Sequence, residues 1–179
     1  MMRRLVFCIL MGVCAVAGQD ATVRAQTPSK DDQEIRDDQE IRALEDKFGA
    51  AFSAKDVDAI MKLYVPGNEL FVFDLGVPRQ HVGWKDYKKD WQEFLATFRG
   101  TIQFDVSDLS IVTDGKLAYS HSIQHVRGTA TDGSPRDYAV RVTDDYRKIA
   151  GKWLITQEHV SVPLDFSTGK PVPDMLSKP

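Results

Sequence analysis

The chain has 179 residues, with 23 Lys and Arg against 26 Asp and Glu, a net charge of −3. No basic stripe relieves that acidic balance, which argues against nucleic acid and anionic membrane surfaces as partners. Its two cysteines, Cys8 and Cys14, both lie in the first segment. The remainder therefore has no disulfide, no thiol nucleophile and no thiolate metal site.

The first 25 residues read as a signal peptide. Arg3 and Arg4 make a basic start, Leu5 to Gly18 is an apolar stretch, and Val23-Arg24-Ala25 gives a small-x-small cleavage pattern. Cleavage is expected after Ala25, with Ala17 as the alternative site. An uncleaved membrane anchor is the alternative reading of the whole segment. Removing residues 1–25 leaves 20 basic and 25 acidic residues, a net charge of −5. The remaining stretch, about 150 residues, is enough for one hydrophobic core. The expected locale is secreted or periplasmic, with no membrane contact after cleavage.

Residues 26–36 read as a linker and helix extension. Asp31 to Arg36 is repeated without change as Asp37 to Arg42. Only the second copy fits a buried stripe, because Ile41, Leu44, Phe48 and Phe52 align at about 100° per residue while Ile35 falls off it. A second helix carries Val57, Ile60, Met61 and Tyr64 on one face and ends at Val65-Pro66-Gly67-Asn68. Leu70 to Leu75 reads as a strand and Gly76 to Gly83 as a loop. A third helix then shows an aromatic face of Trp84, Tyr87, Trp91, Phe94, Leu95 and Phe98.

From Thr101 onward the pattern is strand. Asp114-Gly115, Thr131 to Pro135 and Ala150-Gly151 mark successive turns between 101–112, 117–129, 137–149 and 152–162. Gly151 fits the left-handed position of a bulged three-residue loop. The tail from Pro163 reads as irregular, with residues 169–179 outside the domain. Helices first and a meander after predict an α+β fold in which three N-terminal helices cover one face of a strongly bent antiparallel sheet. Such a shape encloses a cavity suited to a small molecule.

The run Arg141-Val142-Thr143-Asp144-Asp145-Tyr146-Arg147-Lys148-Ile149-Ala150-Gly151-Lys152-Trp153-Leu154-Ile155, with Glu158-His159-Val160-Ser161-Val162-Pro163 after it, resembles SnoaL-like proteins of the ketosteroid isomerase and nuclear transport factor 2 superfamily. The stretch Ala54 to Tyr64 resembles the second helix of the same family. The resemblance covers about residues 37–168, is specific for fold and implies a cone-shaped half-barrel, commonly a homodimer, with a pocket between helices and sheet. It does not choose an activity, because the superfamily holds isomerases, dehydratases, binding domains and oligomerisation domains.

The resemblance also implies candidate residues. Asp74 falls near the general-base aspartate of ketosteroid isomerases; the alternative is an aspartate capping the turn at Leu75. Asp144 resembles their second acid, which donates to an oxyanion when protonated; the alternative is a partner for a neighbouring arginine. Phe48 falls where their oxyanion tyrosine belongs, and a phenyl ring cannot donate. His121 falls where a kinase association domain of the superfamily carries a pocket cation; the alternative is a hydrogen-bonded sheet histidine. Arg141 falls where such sequences often have arginine, which implies an anion site or an ion pair.

Alternation on the last strand puts Trp153, Ile155, Gln157, His159 and Ser161 on one face, running from core into a cavity mouth. Gln157 and His159 then enter the site, unless they face solvent at a dimer interface. His159 is an acid or base of near-neutral pKa if unperturbed. Tyr64 and Trp91 lie on helix faces turned to the sheet and line either the pocket or the core. Arg141 and Asp144 have opposite parity, so a regular strand admits only one of them. Arginine inside would favour carboxylate ligands, and aspartate inside would favour carbonyl enolisation.

No Gly-rich nucleotide loop, Gly-x-Ser-x-Gly elbow or metal-ligand cluster occurs. The expectation is an exported pocket protein that binds a small organic molecule, with no cofactor, no metal and no nucleic acid. Its chemistry would be acid–base catalysis of the isomerase or hydratase type, using Asp74, His121, His159 and Asp144. The alternative is a non-catalytic ligand-binding or oligomerisation domain.

Overall fold

A computed structural model describes residues 29–172, and the segment expected to be a signal peptide lies outside the described residues. Helix α1 (Lys30–Ala54) runs through both hexapeptide copies without a break. Ser29 caps it, accepting from the Asp32 amide while the Asp32 carboxylate accepts from the Ser29 amide, a reciprocal capping box. The two copies differ as the periodicity predicts: Ile35 is exposed, while Ile41, Leu44, Phe48 and Phe52 are buried. Asp37, at the join, is fully buried and accepts from Lys148 Nζ at 2.6 Å, Gln33 and Trp153 Nε1.

Helix α2 (Val57–Met61) is a single short turn-and-a-half, capped by Asp56. It stops before Tyr64 because the chain there joins the sheet. Val65 donates to the Ile155 carbonyl at 2.8 Å and Ile155 donates to Leu63 at 2.9 Å. Next come β1 (Phe71–Phe73) and β2 (His81–Val82), which pair with each other within the stretch read as strand and loop. Helix α3 (Trp84–Ala96) follows. The remaining strands are β3 (Phe98–Thr113), β4 (Leu117–Ala130), β5 (Pro135–Ile149) and β6 (Lys152–Ser161).

The six strands stand in the order β2-β1-β6-β5-β4-β3, antiparallel except for the β1–β6 pair. The sheet is curved but open, so the half-barrel does not close. Its concave face packs on α1 and α3 through an aromatic core: Phe52 stacks on Phe104 at 4.6 Å, and Trp91 meets Phe48 and Phe52 edge-on at 5.6 and 5.5 Å. Gly49 permits the α1–β3 approach, since a Cβ there would lie 3.1 Å from the Phe104 ring.

Besides the shortened α2, the strand at 81–82 and Phe98 falling in β3, further details depart from the sequence reading. The 150–151 connection is a two-residue turn, with Ile149 opposite Lys152 and both Ala150 (φ 48°) and Gly151 (φ 77°) left-handed, as in a type I′ hairpin. The bulge lies inside β6 instead: Asp145 opposes Gln157 and Tyr146 opposes Ile155, leaving Thr156 extra. The tail forms a small hairpin, β7 (Leu164–Asp165) with β8 (Lys170–Pro171). Among the described residues no helix is long and apolar enough to cross a membrane.

Candidate functional site

The bulge at Thr156 decides what enters the cavity. An extra residue in one strand reverses the alternation beyond it. Trp153 and Ile155 are buried on the concave side, and then Glu158, Val160 and Val162 continue that face. The Thr156 hydroxyl donates to the Asp145 carbonyl at 3.0 Å, which satisfies part of the broken ladder. Gln157 and His159 are thereby turned outward, contrary to the regular alternation. His159 meets Phe73 edge-on on the outer face, with centroids 5.5 Å apart.

The cavity between sheet, α1 and α3 has a volume of 720 Å³. Phe48, Phe52, Trp91, Phe94, Phe104 and Tyr138 form most of its aromatic wall. Polar groups gather toward one end, where Glu158 is 4 % exposed. Tyr64 donates to its Oε2 at 2.5 Å, and Tyr87 donates to its Oε1. The two tyrosines come from the α2 exit and from α3, so three separate elements converge on one carboxyl group.

Behind Glu158, Asp144 is its direct cross-strand neighbour on β5 and is 2 % exposed. Its Oδ1 has no hydrogen-bond partner among the described residues. Deeper still, Tyr146 donates to Glu45 Oε1 at 2.7 Å and lies 2.8 Å from the Ser120 hydroxyl. Glu158, Asp144 and Glu45 thus form a buried acidic row, held by tyrosine and serine hydroxyls. Burial without a compensating cation favours the protonated form of each. Burial, with Asp74 and Glu45 nearby, raises Glu158 to about 7 against the pull of its two tyrosine hydrogen bonds. Burial and the neighbouring Glu158 push Asp144 well above the carboxylate range, and burial raises Glu45.

Asp74 lies at the cavity wall near this end, two residues beyond Val72, which pairs with Glu158. It also accepts from the Leu75 amide at 2.6 Å, so the turn cap and the wall position coexist. His81, 4 % exposed, lines the same region, with Nδ1 3.1 Å from Asp86 Oδ2 and Nε2 3.6 Å from Asp90 Oδ1. Burial raises Asp90, opposed by His81.

The structure therefore brings together Asp74, Asp144, Tyr64 and Trp91 from the sequence candidates. It does not bring in His121, Arg141, Gln157 or His159, all exposed on the convex face. His121 and Arg141 are excluded by simple parity, since their neighbours Ser120, Ser122, Val142 and Asp144 take the buried positions. Glu158 is the group that sequence reasoning missed, together with His81 and Asp90. One signal existed: after the bulge, Glu158, Val160 and Val162 sustain an apolar-flanked face better than Gln157, His159 and Ser161 do. Among the described residues no three His, Cys, Asp or Glu side chains gather to hold a metal ion.

A curved sheet over helices, with a side pocket lined by aromatics and a buried acid, defines a conical α+β pocket domain. The SnoaL-like domain family matches residues 41–165, and the chain belongs to that family. An NTF2-like protein of unknown function from Pseudomonas putida has the same fold: TM-score 0.71, 26% identity, covering 81% of this chain and 98% of that one. A protein from Streptomyces avermitilis, described as a candidate dehydratase of the NTF2-like family, superposes with TM-score 0.65 at 15% identity over 74% of this chain and 99% of its own. A candidate calcium/calmodulin-dependent protein kinase II association domain from Xanthomonas campestris gives 0.61 at 20% identity, over 76% and 89%. No curated protein matches the sequence.

Proposed function

We propose that this is an exported pocket protein that binds a small, mostly apolar organic molecule and acts on it by cofactor-free acid–base chemistry of the isomerase or hydratase type. The observation that carries the reading is Glu158: a buried carboxyl on the cavity wall, gripped by two tyrosine hydroxyls and raised to about 7. A proton carrier works best when its pKa lies near the working pH. Glu158 passes a proton to or from the ligand, and Asp74 is the second carboxyl within the same wall. Phe48 on α1 offers no hydrogen-bond donor, as expected of a phenyl ring, and the donors near the acid are Tyr64 and Tyr87.

The test is proton exchange at carbon. The purified protein, incubated in deuterium oxide with a panel of cyclic and aryl ketones, is expected to speed deuterium uptake beside the carbonyl of at least one. Glu158→Gln should lower that rate by about 100-fold, the usual scale for a lost general acid or base. Uptake equal to buffer for the whole panel, or undiminished in Glu158→Gln, would contradict the reading.

Oligomerisation is favoured by a separate observation: Val112, Leu117 and Tyr119 leave a half-exposed apolar strip at one end of β3 and β4. A dimer built on it should appear by light scattering at micromolar concentration and dissociate in Leu117→Lys. A monomer throughout would remove this reading.

A further inference from the structure

The cavity is electrically lopsided. Its acidic end holds Glu158, Asp74 and Asp90. Along α3 the lining runs from Tyr87 to Thr97, ten residues or about 15 Å at the helical rise. At the far end stands Arg136, on the concave face of β5 and the only Arg or Lys in the lining.

Arg136 is held but not neutralised. Its guanidinium lies over the Phe98 ring at 5.4 Å. Arg42, Arg127 and Arg147 each pair with a carboxylate, whereas Arg136 has no ion pair among the described residues. Asp137, the next residue along the chain, pairs with His125, and Asp132, which feels the Arg136 charge through space, accepts from the Ser134 amide and hydroxyl in its own turn. Glu93, an exposed acid at the rim of the lining, pairs with Lys89 at 3.5 Å. Two more cations crowd this end: Lys55 Nζ donates to the Phe98 carbonyl at 2.7 Å, and Arg99 lies against Gly133.

We propose that the ligand is an elongated, mostly apolar molecule with an anionic head, the head resting on Arg136 and the reacting end beside Glu158. This rests on the small-molecule reading of the same cavity and adds the ligand's charge and direction. A guanidinium stacked on an aromatic ring keeps its donors free for a carboxylate or sulfonate. The acidic end repels the same head, so attraction and repulsion select one orientation. The aromatic wall between them accepts a ring system.

Two fluorescent probes differing only in the charged group give the test. 1-Anilinonaphthalene-8-sulfonate and its neutral parent N-phenyl-1-naphthylamine are titrated into the protein at pH 8 and low salt. The anionic probe is expected to bind about tenfold tighter, the scale of one charge-assisted hydrogen bond. Arg136→Gln should erase that preference while leaving the neutral probe's affinity unchanged. Arg136→Lys should keep part of it and serves if the Gln variant folds poorly. Equal affinities in the unaltered protein, or a preference that survives Arg136→Gln, overturn the anionic head alone. Failure of both probes to bind overturns the cavity reading with it.

Discussion

At Glu158 two forces oppose each other. Desolvation penalises the carboxylate, while hydrogen bonds from Tyr64 and Tyr87 stabilise it. Removing one donor shifts the balance toward the acid, so Tyr87→Phe is expected to raise the Glu158 pKa further. Carboxyl infrared bands followed against pH would check this, and an unchanged midpoint would contradict it. Asp37 shows the opposite balance. Burial alone would raise it, but Lys148, Gln33 and Trp153 bind the charged form and the net shift is downward. Lys148→Met should therefore cost about 3 kcal/mol by urea denaturation, the scale for stranding one member of a buried ion pair. The family resemblance pointed to Asp74 and Asp144, and helical periodicity gave the aromatic faces of α1 and α3. Glu158 left only the faint signal of its Val160 and Val162 neighbours, because its hydrogen bonds come from tyrosines 94 and 71 residues away in sequence.

Among the elements, β6 decides the site. Its first half pairs as alternation predicts, and its second half is inverted by one residue at Thr156. The inversion has a tertiary cause: Ile155 is engaged on both sides, by Tyr146 across β5 and by the chain at Tyr64. A local pattern carries no trace of that double pairing, which is why Gln157 and His159 read as inward. The neighbouring turn was legible in place but not in type. Ala150 occupies a left-handed position that favours glycine or asparagine. Ala150→Gly is accordingly expected to stabilise the protein by about 1 kcal/mol in chemical denaturation. A loss of stability would contradict the type I′ assignment.

For the whole molecule, helix-then-meander order was enough to give an α+β fold with helices on one sheet face, since apolar faces on three helices have one sheet to cover; the cone came from the family resemblance, and the open edge is visible only in the structure. The proton balance is a property of the same assembly. Glu158, Asp144 and Glu45 all have raised pKa values in the folded chain. Between the ordinary value of 4.5 and about 7 the folded Glu158 holds a proton that the unfolded chain has released. Stability from this group is therefore full below 4.5 and is lost as pH rises through about 7. The Tm should climb by several degrees from pH 7.5 to pH 5.5, and Glu158→Gln should flatten that slope. A Tm that falls over the same interval would contradict the acidic row.

The central claim is a proton-carrying carboxyl inside a ligand cavity, and carbon-13 NMR of protein labelled at the glutamate carboxyl tests it most directly. One glutamate resonance is expected to titrate near pH 7, to be absent in Glu158→Gln, and to move when N-phenyl-1-naphthylamine is added. A spectrum in which every glutamate titrates below pH 5.5, or in which the high-pKa resonance ignores the probe, would contradict the account.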